Sequence, residues 1–285
     1  MPDPRPRRSV LYMPGANERA LEKAKTLDAD ALILDLEDSV APDSKAEGRA
    51  RVCAVVESGA YGRREVAIRV NGLDTEWFTA DIHAAAAARP DAVVVPKVDS
   101  AADVHRIESA LGDGPSAIWA MLETPTAMLH AHEIASASDR LTVLVLGTND
   151  LAKELHAEFI PGRAPLLTSL SLALLGARAA GKVILDGVYN DVKDLDGFAE
   201  ECTQARQFGF DGKTLIHPSQ LEPCNRIFAP SAAEIAHAEK VIAAFDEAMA
   251  AGRGVATVDG RMIENLHVAN ARRILAVAAA IADRD

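Results

Sequence analysis

An α/β fold of the (β/α)8 TIM-barrel type is what this sequence predicts, and three observations carry that reading. Short β-rich apolar runs alternate with helical patterns from end to end, the signature of parallel βα units. Eight such runs can be counted, the number that closes a barrel. Several of them stop at a carboxylate, an arginine or a Pro-Gly pair, and the C-terminal ends of barrel strands are where such folds collect their chemistry.

In order, the runs cover residues 10–13, 31–35, 66–70, 92–95, 118–122, 142–146, 183–185 and 214–216. Between them, stretches such as 18–25, 45–57, 101–111 and 195–208 have helical period and Ala-rich faces suited to packing on a sheet. The pattern changes after Phe228-Ala229-Pro230. Ser231 and Glu234 form a capping-box signature opening a long helix to about Met249, and a Gly252-Arg253-Gly254 break follows. Residues 255–263 then read as a β-hairpin turning at Asp259-Gly260, before a last Ala-rich helix. The expected organisation is a barrel over 1–229 with the chemistry at its mouth and a helix-hairpin-helix appendage over 230–285.

Composition bounds the function. A chain of 285 residues can bury a large core, and a net charge of -12 with scattered Lys and Arg argues against a nucleic-acid or anionic-membrane surface. Cys53, Cys202 and Cys224 lie far apart with no Cys-x-x-Cys, which supports neither a disulfide framework nor a thiolate metal site. No apolar run approaches the ~20 residues of a membrane span, so a cytoplasmic protein is expected. There is no Gly-x-Ser-x-Gly elbow and no Walker loop, and Gly112-Asp113-Gly114 lacks the rest of a dinucleotide fingerprint. Serine-triad hydrolases, NTPases and dehydrogenases are disfavoured.

The candidate chemistry sits at the run ends. Residues 118–122 stop at Glu123, and 142–146 lead through Gly147-Thr148-Asn149 to Asp150. Two hard oxygen ligands at one rim could hold Mg²⁺, which prefers few carboxylates and several waters. Glu123 precedes Thr124-Pro125, which can cap and open a helix and so leave the carboxylate for other work; a plain loop glutamate fits the spacing as well. One of Thr148, Asn149 and Asp150 is expected to be a helix N-cap. Arg69 lies in an otherwise apolar strand and must find an anion: an internal pair with Asp35, Glu37 or Asp38, a substrate carboxylate held by its planar fork, or both at a mouth already rich in acids. Asp35, Glu37 and Asp38 read as supporting residues, since three more carboxylates would over-neutralise one divalent ion. His130 and His132 read as exposed helix residues, while His217 could be structural or reach a ligand.

The segments Arg8-Ser9-Val10-Leu11-Tyr12-Met13-Pro14-Gly15, Asp35-Leu36-Glu37-Asp38-Ser39-Val40-Ala41, Arg69-Val70-Asn71-Gly72, Pro96-Lys97-Val98, Glu123-Thr124, Gly147-Thr148-Asn149-Asp150 and 209–218 together resemble the citrate lyase beta-subunit-like (HpcH/HpaI aldolase/citrate lyase) family. The resemblance spans nearly the whole chain. It implies a trimer-based assembly, homotrimer or hexamer, and Mg²⁺, with Mn²⁺ possible in its place, on Glu123 and Asp150. It implies a substrate-carboxylate role for Arg69, substrate contacts at Thr148 and Asn149, and a coenzyme A side at Tyr12 and Lys23. Lyases of the family use an Asp after a Met-Ile pair as an acid/base reaching a neighbouring subunit. Here Met262-Ile263 is followed by Glu264. One extra methylene shifts a carboxylate by roughly 1.5 Å, and a misplacement of that order can cost about a hundredfold in rate. Asn17 stands where many relatives place an Arg, and Arg19 is the substitute for that phosphate contact.

The resemblance is strongest to the malyl-CoA thioesterase branch, through Glu264 to His267 and the run 147–155. The implied reaction is Mg-dependent hydrolysis of a short 3-hydroxy-dicarboxylic acyl-CoA thioester to malate and coenzyme A. The alternatives are carbon-carbon cleavage to acetyl-CoA and an oxo acid, and a non-catalytic acyl-CoA-binding subunit.

Overall fold

The computed structural model describes residues 5–284. They divide into two compact units, Arg7–Arg226 and a second made of residues 5–6 with the described residues from Ile227 onward. In the first, eight parallel strands close a barrel in sequence order: β1 (Ser9–Pro14), β2 (Ala31–Asp35), β3 (Glu65–Arg69), β4 (Ala92–Val95), β5 (Ala117–Leu122), β6 (Leu141–Leu146), β7 (Val183–Asp186) and β8 (Gly212–Leu215). The helices between them are α1 (Glu18–Ala24), α2 (Lys45–Glu57), α3 (Phe78–Ala88), α4 (Ala101–Leu111), α5 (Pro125–Leu129), α6 (Ala131–Ser136), α7 (Thr148–Glu154), α8 (Leu167–Ala179) and α9 (Leu195–Phe208), with α10 (Leu221–Phe228) after β8. The expected barrel is therefore the observed one.

Strand alternation decides what the barrel holds. Ala31 and Ile33 of β2, Ala67 of β3, Trp119 and Met121 of β5, and Val143 and Val145 of β6 form the interior core with Val10, Ala92, Val94 and Leu185. A strand presents every second side chain to one face, so the same parity continues upward to Tyr12, Asp35, Arg69 and Glu123. Four polar residues thus reach the C-terminal mouth because they sit two residues above an apolar interior position. At the opposite end, Arg7 forks onto Glu65 at 2.5 and 2.8 Å, with its guanidinium 5.8 Å from the Trp119 ring centroid.

One run was placed late, by two residues at its start and one at its end. The eighth strand starts at Gly212 and ends at Leu215, and Ile216 lies beyond it, 40% exposed. Gly212 is required because a Cβ there would overlap the backbone carbonyl of Arg7. Lys213 belongs inside the strand because its ammonium finds buried partners: Asp186 at 2.7 Å, Glu201 at 2.6 Å and the carbonyl of Gly187 at 2.5 Å. Arg163 completes the cluster, donating to both Asp186 oxygens at 2.8 and 2.9 Å. Asp186 stays below the ordinary carboxylate range, since Lys213 and Arg163 outweigh the burial that opposes its charge.

The second unit carries its own core. Helix α11 (Ala232–Ala250) opens with the Ser231/Glu234 capping box, and β9 (Ala256–Val258) pairs antiparallel with β10 (Arg261–Ile263). Asp259 and Gly260 take φ of 49° and 76°, the twist a two-residue hairpin turn needs. Helix α12 (Asn265–Ala282) follows, and Val241, Phe245, Val258, Ile263 and Val268 pack together within this unit.

The Lys213 cluster generates a stability prediction. Lys213→Met keeps most of the volume but leaves Asp186 and Glu201 with one cation fewer, and breaking such a buried pair costs about 3–5 kcal/mol. Urea unfolding should show a loss in that range; a change under about 1 kcal/mol, the size of a surface ion pair, would mean the cluster contributes little.

Candidate active site

A cavity of about 340 Å³ opens at the C-terminal ends of the strands. Its lining includes Tyr12, Asp35, Asp38, Arg69, Glu123, Thr148, Asn149 and Asp150, with Met121, Leu146, Val188 and Ile216 supplying apolar wall. Seven strands or their following turns contribute, which is why the polar residues are scattered in sequence.

Glu123 and Asp150 come together through the junction of β5 and β6. Leu122 pairs in register with Leu146, and the Gly147 N–H donates to the Leu122 carbonyl at 3.0 Å, extending the ladder one residue past the strands. A Cβ on Gly147 would overlap the Glu123 carboxylate, so the glycine is the space in which Glu123 sits. Gly147 is also the N-cap of α7, with no side-chain cap bond. The expectation that Thr148, Asn149 or Asp150 caps this helix is corrected here. The capping position must lack a side chain to admit Glu123, so all three residues move into the first turn, with Asp150 turned toward the cavity.

Glu123 is 3% exposed. The Lys97 backbone N–H donates to its Oε1 at 3.0 Å, while burial and then the Asp150 charge push its pKa up to about 8. Thr124 accepts the Ala127 N–H at 3.0 Å as the cap of α5, with Pro125 opening the helix, so the Glu123 carboxylate has no capping duty. Lys97 itself has φ 53°. A left-handed conformation in a non-glycine residue costs about 1–2 kcal/mol, and the reversal lets the Val98 N–H reach the Met121 carbonyl at 3.2 Å.

Arg69 has the internal partners that its sequence allowed for. Its Nε and Nη2 fork onto Asp35 at 2.6 and 2.8 Å, its Nη1 lies 2.7 Å from Glu37 and 3.6 Å from Asp38, and the Tyr12 ring centroid is 4.9 Å away. The fork expected to grip a substrate carboxylate is therefore already occupied by Asp35, because Asp35 and Arg69 are register partners on adjacent strands. Asp35 also accepts the N–H groups of Glu37 and Ser39 at 2.9 and 3.0 Å, and these bonds with Arg69 hold its carboxyl below the usual range despite burial. Glu37 goes the other way: burial raises its pKa in spite of Arg69. Burial likewise drives the Tyr12 phenol upward.

Sequence reading missed the clamp on the Asp35–Asp38 turn. Lys45 is buried and donates to the carbonyls of Leu36 and Glu37 at 2.8 and 2.7 Å, its ammonium 5.2 Å from the Trp77 ring centroid. No motif marks it, since a lysine opening a helix reads as surface. Among the other candidates, Asn149 lines the cavity and exchanges two amide hydrogen bonds with Asn190, at 3.1 and 2.8 Å. Lys23 is exposed in the last turn of α1 and is absent from the cavity lining. Asn17 caps α1, accepting the Ala20 N–H at 3.1 Å, and Arg19 is exposed. His130 and His132 are exposed as expected, and His217 is a structural cap accepting the Ser219 N–H at 3.2 Å. Glu264, in the second unit, precedes α12, and its N–H donates to His267 Nδ1 at 3.1 Å.

The donor set can be tested for fit to a divalent ion. The Asp150 charge raises the cost of ionising Glu123 inside the cavity, which is the repulsion a hard cation relieves, and both donors are oxygens. No group of three or more His, Cys, Asp or Glu side chains with metal-binding geometry occurs among the described residues. The remaining positions would fall to water or substrate, as Mg²⁺ prefers and a closed zinc site does not.

Paired acids at the mouth of a closed barrel fit an enzyme active site, and comparison with known proteins gives the family. The model of the HpcH/HpaI aldolase/citrate lyase family matches residues 8–218, and that of the C-C bond lyases of the TIM-barrel fold matches residues 169–281. This chain belongs to the HpcH/HpaI aldolase/citrate lyase family. It is 55% identical over 277 residues to a (3S)-malyl-CoA thioesterase of Cereibacter sphaeroides, covering 97% of this chain and 96% of that one. It is 38% identical to the citrate lyase subunit beta of Escherichia coli, covering 95% and 93%. Its structure is similar to that of the protein CitE of Mycobacterium tuberculosis in complex with magnesium, acetoacetate and coenzyme A, with a TM-score of 0.78, 30% identity, and coverage of 95% and 97%.

The raised pKa of Glu123 has a measurable sign. The folded chain holds this proton more tightly than the unfolded chain, so between about 4.5 and about 8 folding stability falls as pH rises and levels off above. The slope approaches ~1.4 kcal/mol per pH unit in mid-window. In metal-free buffer, Glu123→Gln should flatten this decline; an unchanged pH profile of urea midpoints would show that Glu123 ionises at an ordinary pH.

Proposed function

We propose that this chain is a Mg²⁺-dependent enzyme acting on a short 3-hydroxy-dicarboxylic acyl-CoA, and that its reaction is hydrolysis of (3S)-malyl-CoA to malate and coenzyme A. The single observation that carries the reading is the Glu123–Asp150 pair at one barrel mouth, opening on a cavity of about 340 Å³ in a chain 55% identical to a (3S)-malyl-CoA thioesterase. Glu123 and Asp150 would hold the ion. When bound, Mg²⁺ supplies Lewis-acid stabilisation of negative charge on substrate oxygens.

The chain's own residues do the rest. Asp35, fixed by two backbone N–H groups, holds the Arg69 guanidinium in one orientation, and Arg69 sets a positive field beside the acids. The α7 turn presents Thr148 and Asn149 to the substrate, with Asn190 steadying the Asn149 amide. Tyr12 and Lys23 are assigned to the coenzyme side, Tyr12 from within the cavity lining and Lys23 from the exposed face of α1. Glu264 is assigned the proton transfer, acting from a neighbouring chain of a homotrimer or hexamer in which residues 230–285 serve as the lid. In hydrolysis it would orient or deprotonate the attacking water. The three free cysteines, Cys53, Cys202 and Cys224, accord with a cytoplasmic setting.

The competing reading, carbon-carbon cleavage, is favoured by the match to the C-C bond lyase model over residues 169–281. Product analysis separates them. The purified chain with Mg²⁺ and malyl-CoA should release free coenzyme A and malate; glyoxylate trapped as its phenylhydrazone would instead mark a lyase. Glu123→Ala and Asp150→Ala should each lower turnover by at least a hundredfold. Turnover that survives both substitutions or chelation of the metal would overturn the reading.

A further inference from the structure

Two glycines bound the first turn of α7. Gly147 admits Glu123 from the β5 side, and Gly187 admits Thr148 from the β7 side. Val145 and Leu185 are register partners in β6 and β7, and each glycine follows its strand two residues later. A Cβ on Gly187 would overlap Oγ1 and Cγ2 of Thr148 and lie 3.0 Å from the Leu146 carbonyl oxygen. The requirement is for space alone, since the φ of Gly187 lies outside the left-handed region. Thr148 is buried and, being β-branched on a helix, has few rotamers with which to make room. The other partner in this contact is fixed as well. The Lys213 ammonium, itself held by Asp186 and Glu201, donates to the Gly187 carbonyl at 2.5 Å. Two residues on, the buried Gln220 donates to the Tyr189 carbonyl at 3.1 Å while its side-chain oxygen accepts the Ile216 and His217 N–H groups at 3.0 and 3.2 Å. The turn after β7 is thus anchored on both sides of Val188, a cavity-wall residue. Asp150 lies two residues after Thr148 in the same helical turn, which the Leu151 N–H closes onto the Gly147 carbonyl at 3.2 Å. A hydrogen-bonded turn moves as one piece, so a displacement of Thr148 is carried to Asp150.

We propose that Gly187 is a positioning residue for the divalent-ion site: anchored by Lys213, it gives Thr148 a surface free of side chain to pack on, and so sets where the first turn of α7 carries Asp150 relative to Glu123. The proposal rests on the reading that these two carboxylates share one Mg²⁺. Gly187 has no side chain to offer the ion and acts through Thr148.

The test moves bulk across this contact. Thr148→Ala removes the atoms that pack on Gly187, Gly187→Ala puts a methyl group where they were, and the double variant combines the two. Mg²⁺ is titrated calorimetrically into each metal-free full-length chain, and thermal melts check folding. Gly187→Ala should weaken Mg²⁺ binding about ten- to a hundredfold, the cost of disturbing groups that orient metal ligands. Thr148→Ala should weaken it about three- to tenfold by leaving the turn unseated, and the double variant should return to within about threefold of wild type, the coupling expected of residues in contact. Two unrelated structural losses would add instead of cancelling. Wild-type affinity in Gly187→Ala, or a double variant that binds no tighter than Gly187→Ala, overturns the proposal while the shared-ion reading stands. If Gly187→Ala does not melt cooperatively, the other two variants decide, and wild-type affinity in Thr148→Ala or a double variant no tighter than Thr148→Ala overturns it. A wild-type chain that binds no Mg²⁺ overturns both the proposal and the reading beneath it.

Discussion

The mouth of this barrel is organised by a steric constraint: a buried carboxylate, Glu123, occupies the volume that a side chain at Gly147 would fill. Because Leu122 and Leu146 are in register, the strand ends arrive side by side, and only glycine can follow Leu146 without displacing the acid. The same glycine caps α7 and so fixes where Asp150 begins its turn. The approach of the two carboxylates is thus dictated by backbone pairing, with little left to side-chain conformational choice. Such preorganisation keeps reacting groups within the narrow tolerance that catalysis demands.

Around that pair the charges are arranged in graded fashion. Asp35 is held ionised by Arg69 and two backbone N–H groups, whereas Glu123 is driven toward the protonated form by burial and by Asp150. Environments that push neighbouring carboxylates in opposite directions separate supporting acids from those available for chemistry. Asp35 accordingly belongs to the scaffold. Glu123 retains a cost of ionisation that a cation would remove, and the cost is maintained by burial and by the Asp150 charge against the opposing Lys97 N–H.

Much of this was visible in the residues themselves, for identifiable reasons. Runs of four to six apolar residues ending at a charged group announce strands whose tops carry polar atoms, and β2, β4 and the helices over 45–57, 101–111 and 195–208 fall where periodicity places them. Arg69 was conspicuous as a cation in an apolar strand. Lys213 carries the same signal inside β8, but its partners Glu201 and Asp186 lie 12 and 27 residues away, and without them the lysine read as the residue before a strand. The choice between an internal and an external partner for Arg69 also needed coordinates, since it depends on β2 and β3 being register partners. The cap of α7 was misassigned because propensity favours Thr, Asn and Asp at N-caps, and a tertiary neighbour from another strand overrode it. The left-handed Lys97 left no sequence signal, as Pro-Lys-Val gives no hint of positive φ.

The central claim is that Glu123 and Asp150 share one divalent cation. Titration calorimetry of the metal-free chain with Mg²⁺ addresses it without any assumption about the reaction. One ion per chain is predicted for the wild type, with binding lost in both Glu123→Gln and Asp150→Asn although each variant melts cooperatively. Retention of wild-type Mg²⁺ affinity by the double variant would contradict it, because the ion would then be held elsewhere.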